Sequence, residues 1–132
     1  MTTEGRKDDT GKLRYDLVDA YALAWLVASL TYGVAKYAAW NWLHVAEARD
    51  KYYAALMRHL EAWRAGQDDD EESGLPHLAN AMFCVVCLTA LHAPRDLGEV
   101  QRRTTEAVRR WRARAVETTT IPIKNTESER ER

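Results

Sequence analysis

Arg58-His59-Leu60-Glu61-Ala62-Trp63-Arg64-Ala65-Gly66, followed by Gln67-Asp68-Asp69-Asp70-Glu71-Glu72-Ser73 and then Gly74-Leu75-Pro76-His77-Leu78-Ala79-Asn80, is the stretch that decides the fold. Its first part closes a helix spanning Ala48 to Ala65, on which Tyr52, Leu56, His59, Leu60 and Trp63 share one side at helical spacing. Gly66 suits the C′ position that ends such a helix. The acidic run makes the connection. Ser73 reads as the N-cap of the next helix, and Pro76 falls in its first turn, where a missing N–H is harmless. From Leu78 to Leu91 the chain is apolar almost all round, a pattern that belongs at the centre of a bundle or in a subunit interface. Two histidines, an amide and several carboxylates are thereby gathered at one helix-turn-helix junction.

On the N-terminal side, residues 1–12 (MTTEGRKDDTGK) carry no periodicity and read as an extended arm. Helical spacing starts at Leu13 and sets Leu17, Tyr21, Ala24, Trp25, Ala28 and Leu30 mostly at three- and four-residue steps. Gly33 is expected to interrupt it, with a second helical piece from Val34 to Trp42 and a break around His44–Ala46. On the C-terminal side, Ala93-Pro94 ends the apolar helix. An amphipathic helix from Asp96 to about Val116 then sets Leu97, Val100, Ala107, Val108, Trp111 and Ala115 against a basic face. The Thr-rich and then charged remainder has the composition of a disordered tail. No segment alternates with period two for long enough to demand a strand. The predicted fold class is all-α, with an arm at 1–12, a helical core at 13–93, an amphipathic helix at 94–117 and a tail at 118–132.

A chain of 132 residues is long enough to bury a real core as one domain. A net charge of −1 gives no ground for a polyanionic partner such as nucleic acid. The start is polar and charged, without an apolar signal region, and Leu78–Leu91 is too short to span a bilayer. A cytoplasmic protein with no membrane partner is the expectation. Cys84 and Cys87 lie in the apolar run without a second pair, which favours buried thiols over zinc or redox work.

His77 and Asn80 stand three apart and share a helix face, while His59 comes from the preceding, antiparallel helix. Asp70 and Glu72 sit in the turn between them. Histidines in such places are often core or capping groups beside a solvated acidic loop. Two of them with carboxylates at a single junction point instead to a site for a divalent metal. Lys12, Arg14, Lys36 and Arg58 are each ordinary surface charges, yet together they can neutralise a polyphosphate. The aromatic residues between Tyr32 and Trp42 fit a core role, except that Asn41 beside Trp42 can read and stack a base. The arginines of the last helix (Arg102, Arg103, Arg109, Arg110, Arg112 and Arg114) more often make a solvated face than a nucleic-acid surface.

Four ordered segments carry a resemblance. They are Lys7-x-Asp9-x-Gly11-Lys12-x-Arg14-x-Asp16-Leu17, Tyr32-Gly33-x-x-Lys36-Tyr37-x-x-x-Asn41-Trp42, Arg58-His59-Leu60, and Asp70-x-Glu72-Ser73-Gly74-x-x-His77-Leu78. Over about residues 5–92 the chain resembles the MazG-like dATP/dGTP diphosphohydrolases of phages. The resemblance implies a MazG-like helical bundle completed by oligomerisation, as a homodimer or homotetramer. It also implies a metal-dependent nucleoside triphosphate pyrophosphohydrolase that cleaves between the α- and β-phosphates. For dGTP (and GTP) the products are dGMP (GMP) and pyrophosphate, and dGMP would feed 2-aminoadenine nucleotide synthesis for a phage in its host's cytoplasm. Under this reading Glu61, His59 and Arg58 are catalytic. Asp70, Glu72, His77, His59, Glu61 and Asn80 hold Mn²⁺ or Mg²⁺, and Lys12, Arg14, Asp16, Lys36, Asn41 and Trp42 bind substrate.

The chain departs from the wider MazG-like superfamily at one point. That superfamily carries Glu-x-x-Glu and Glu-x-x-Asp on consecutive helices, where Arg58-x-x-Glu61 and His77-x-x-Asn80 stand here, so only Glu61 keeps an expected carboxylate. Ligation is then either rebuilt on His59, His77, Asp70 and Glu72 or supplied partly from elsewhere, and mixed nitrogen and oxygen ligands suit Mn²⁺ better than Mg²⁺, which prefers oxygen. The alternative reading is a non-enzymatic nucleotide- or DNA-binding phage protein that works through the basic last helix.

Overall fold

The computed structural model describes residues 4–119, and the regular elements among them are all helical. Helix α1 runs Ala20–Lys36, α2 Ala48–Arg64, α3 His77–His92 and α4 Leu97–Thr119, with short 3₁₀ turns at Tyr15–Leu17 and Asn41–His44. Two compact units result. One is Arg14–Arg95 and contains α1 to α3; the other joins the arm up to Leu13 with the segment from Asp96 onward. No single helix among the described residues is long and apolar enough to cross a membrane.

In the larger unit α3 is the central element, packed against α2, α1 and the Asn41–His44 turn. Its inward side is made of small residues, Ala79, Ala81, Cys84 and Cys87, together with His77 and Asn80. Small side chains let neighbouring helices approach closely, and Cys87 is wholly buried. Burial pushes the Cys84 and Cys87 thiols up to about 11 and about 12, so both are inert apolar groups. Phe83 meets Tyr52 of α2 edge-on, with ring centroids 5.9 Å apart.

Several expectations are corrected. Helix α1 starts at Ala20 rather than Leu13, because the Asp19 carboxylate accepts from the Ala22 N–H at 2.9 Å and caps it there. Gly33 does not interrupt the helix. A glycine costs a helix only about 1 kcal/mol relative to alanine, and the Tyr37 N–H still closes the last turn on the Gly33 carbonyl at 3.0 Å. The end comes instead at Tyr37, after which Trp40 takes a left-handed conformation (φ 64°), so Val34–Trp42 is not a second helical piece. Along the spacing that marks α1, Leu17, Tyr21, Ala24 and Trp25 are exposed (Tyr21 by 80%) and Ala28 and Leu30 half-buried, while the buried residue of α1 is Ser29. Pro76, not Ser73, precedes the first turn of α3, since the Ser73 hydroxyl is turned onto Asp70.

Helix α4 runs past the expected end at Val116 to Thr119; residues 120–132 of the expected tail lie outside the described residues. Glu99 binds Arg102 and Arg103, and seven residues on Glu106 binds Arg109 and Arg110. These bonds pull both carboxyls down to about 2. Within the same unit the Gln101 side-chain amide donates to the Gly11 carbonyl.

Candidate active site

Helix α2 closes with the Gly66 N–H donating to the Trp63 carbonyl and the Gln67 N–H to that of Ala62, while Gly66 takes φ 96°. The chain then folds straight back on itself. The His77 N–H donates to the Asp68 carbonyl at 2.8 Å, and the Asp70 N–H to that of Leu75 at 2.8 Å. The Gly74 N–H closes on the Asp70 carbonyl at 2.7 Å with φ 71°, a left-handed turn that glycine adopts without strain. The first residue of α3 is therefore tied to the start of the loop that follows α2, and Asp70 is carried to the pair of histidines.

The Nδ1 atoms of His59 and His77 lie 2.9 Å apart, and one ligand atom from each of His59, Asp70 and His77 falls within 4.8 Å of the others. Two cis ligands about 2.1 Å from a metal stand about 3 Å apart, so the histidine spacing matches a shared ion. Without metal the same contact is a hydrogen bond in which one ring carries Nδ1–H and the other accepts. Burial pulls His59 below its ordinary value, with His77 and Arg58 adding to the effect and Asp70 opposing it. For Asp70 burial acts upward, but two bonds from Ser73 and the nearby histidines outweigh it and hold the carboxyl below its ordinary value. A neutral imidazole and an ionised carboxylate are the ligand forms a metal needs. The residues present fit a divalent ion.

His59 and Asp70 line a cavity of about 820 Å³ that also takes in Glu72, Asn80, Lys36 and Lys51. Its walls hold the rings of Tyr32, Tyr37, Trp40, Trp42, Tyr52 and Phe83, with Asn41 beside Trp42. Lys36 Nζ bonds Glu72 Oε1 at 2.6 Å and lies 5.4 Å from the centre of the Tyr37 ring. Burial pushes the Tyr52 hydroxyl up to about 12. The cavity thus offers cations, carboxylates and aromatic faces to one ligand.

Of the residues singled out in the sequence, the fold brings His59, Asp70 and His77 together and sets Lys36, Asn41, Trp42, Glu72 and Asn80 along the cavity. Glu72 stands outside the three-ligand group, held by Lys36, and the Asn80 amide is bonded to Ser29 and Ser73. Arg58 and Glu61 are exposed on α2 and do not line the cavity. Arg14 binds Asp16 through two bonds of 2.8 and 2.7 Å, away from the lining, and Lys12 belongs to the smaller unit. Sequence reasoning missed Lys51, Tyr52, Ser73 and Ser29. Ser29 carried a signal, as a polar residue inside the apolar run Ala22–Leu30.

A family model for dATP/dGTP diphosphohydrolase, N-terminal, matches residues 2–100, about three quarters of the chain. The chain belongs to that family. The match takes in α1, α2, α3, the junction and the cavity, whereas α4 beyond residue 100 lies outside it. No curated protein and no solved structure matches the chain. It therefore carries the N-terminal domain of a deoxynucleoside triphosphate diphosphohydrolase on an all-α fold.

Proposed function

We propose that the chain is a metal-dependent pyrophosphohydrolase that cleaves dGTP, and GTP, between the α- and β-phosphates to give dGMP or GMP and pyrophosphate. The observation that carries this reading is the His59–Asp70–His77 group beside a cavity that also presents lysines and aromatic rings. His59, Asp70 and His77 would hold Mn²⁺, or less favourably Mg²⁺, because two imidazoles and one carboxylate are a mixed nitrogen and oxygen set. When bound, the ion supplies Lewis acidity and neutralises charge on the anhydride. Lys36 and Lys51 attract the triphosphate, and Lys36 leaves Glu72 to do so. Trp42 stacks on the base and Asn41 reads its edge, with the ring wall keeping water from the nucleoside.

The exposed apolar side of α1 favours assembly as a homodimer or homotetramer. In a phage-infected cytoplasm the dGMP would supply 2-aminoadenine nucleotide synthesis. The alternative of a DNA-binding protein loses ground because Glu99 and Glu106 already bind Arg102, Arg103, Arg109 and Arg110.

Purified protein incubated with dGTP and Mn²⁺ should release dGMP and pyrophosphate, followed by chromatography of the products. His77→Ala should lower Mn²⁺ affinity by more than the roughly 10–100-fold that losing an outer partner costs, and turnover with it. Absence of product at stoichiometric enzyme, across nucleotides and metals, overturns the activity. Wild-type turnover by His77→Ala removes the histidine group from it.

A further inference from the structure

Asn80 was expected among the metal ligands, but both ends of its amide are already engaged. Ser29 Oγ on α1 donates to Asn80 Oδ1 at 2.8 Å, and Asn80 Nδ2 donates to Ser73 Oγ at 3.3 Å. Ser73 Oγ in turn donates to Asp70 Oδ2 at 2.7 Å, and the Ser73 N–H reaches the same oxygen at 3.0 Å. The three side-chain bonds therefore run in one direction, from α1 through α3 to the carboxylate. Ser29 and Asn80 are 4% and 8% exposed, so bulk water does not compete for the inner bonds.

The orientation of the amide follows from the chain itself. With oxygen and nitrogen exchanged, the Asn80 carbonyl would face a Ser73 oxygen whose hydrogen is committed to Asp70, and two lone pairs would oppose each other. Hydrogen bonds aligned head to tail polarise one another, most where the last acceptor is an anion in a partly buried setting. Asp70 sits on a loop otherwise fixed by backbone bonds and the Gly74 turn, which place its Cα but not its carboxyl plane.

We propose that Ser29 and Asn80 are positioning residues that, through Ser73, hold the Asp70 carboxylate in register with His59 and His77. Helix α1, which contributes no ligand, thus sets the geometry of a group built on the α2–α3 junction. The inference rests on the metal-binding reading given above. It differs from a structural role for Ser29 in a measurable way. A serine that only packs α1 on α3 would change the stability of the metal-free protein, whereas a positioning serine changes metal affinity.

The test is Mn²⁺ titration calorimetry on the wild type, Ser29→Ala, Ser73→Ala and the double variant, with thermal melting in chelator as the fold control. Ser73→Ala, which removes a partner of Asp70 itself, should weaken Mn²⁺ binding about 10-fold or more, and Ser29→Ala, two links further out, should weaken it measurably but less. The double variant should be no weaker than the worse single one, because both cut the same chain. Ser29→Thr, which keeps the hydroxyl, should restore affinity. Should Ser29→Ala not fold, the near-isosteric Ser29→Cys takes its place with a smaller loss, the thiol being a weak donor. Wild-type affinity in Ser29→Ala, or losses that multiply in the double variant, overturn the positioning role while leaving the metal site standing. No Mn²⁺ on the wild type overturns the metal site and this role with it.

Discussion

Helices α1 and α3 are equally apolar in sequence and end up in opposite situations. Helix α3 buries His77, Ala79, Asn80, Ala81, Cys84 and Cys87, whereas α1 buries Ser29 and leaves Tyr21, Leu23, Trp25, Val27 and Val34 exposed. The cause is neighbours rather than composition. Helix α3 lies against both α1 and α2, but α1 packs substantially only against α3. Apolar content says how much surface needs covering; the number of packed partners says how much the chain covers by itself. The uncovered side of α1 is an exposed apolar face, the observation on which the proposed assembly of copies rests. The proposed function divides the same way, because α3 would supply a ligand, His77, and α1 supplies only a hydrogen-bond donor and cavity wall.

The largest expected effect falls on α3. Cys87→Asp places an uncompensated charge where nothing is exposed, and should destabilise the chain by more than about 3 kcal/mol, read from the denaturant midpoint. A near-wild-type midpoint would mean that α3 is not the core and would end the contrast. On α1 the matching change should leave folding alone and act on assembly. Tyr21→Ser with Trp25→Ser should alter single-chain stability by no more than about 0.5 kcal/mol per site, as exposed positions do. Light scattering should meanwhile show fewer subunits per particle. If particle mass is unchanged, the open side of α1 is not where copies meet.

The contrast also explains what was legible in the sequence. The end of helix α3 was readable to within a residue because Ala93-Pro94 stops an all-round apolar run; its start was not, since Ser73 has the character of a cap but turns its hydroxyl onto Asp70. Helix α2 was readable from its spacing and from Gly66. The start of α1 was not, since Leu13 to Leu17 continues the apolar spacing and only the Asp19 cap marks the true beginning. Gly33 does not end α1 because one glycine weakens a helix by only about 1 kcal/mol, and the Tyr37 N–H closes the last turn on its carbonyl. At the site, His59, His77 and Asp70 could be named from their spacing about a turn. Whether Glu72 and Asn80 reach the same point depended on two competing partners, Lys36 and the serines, which lie far off in sequence. Arg58 and Glu61 flank His59 in sequence, but a helix turns its neighbours to other faces.

The smallest expected effect separates the two helices by charge. Helix α1 buries no titratable group, while α3 meets α2 at the histidine pair, so acid should act on the second contact alone. His59 titrates below its ordinary value of 6.5 in the folded chain, chiefly through burial, so folding favours the neutral ring. Above 6.5 both states are neutral and nothing is lost. As pH falls through 6.5 the unfolded chain takes up a proton that the folded chain resists, and stability declines until the folded value is passed. Asp70 works at lower pH in the same direction. Its folded value lies below 3.8, so its contribution is present above 3.8 and is lost as pH falls further. Melting temperature of the chelated protein should therefore drop in two steps, the first between about pH 7 and pH 5. His59→Asn should flatten that first step and keep the second. An unchanged first step in His59→Asn would show that acid enters the fold elsewhere, and the α2–α3 contact would lose its claim to be the sensitive one.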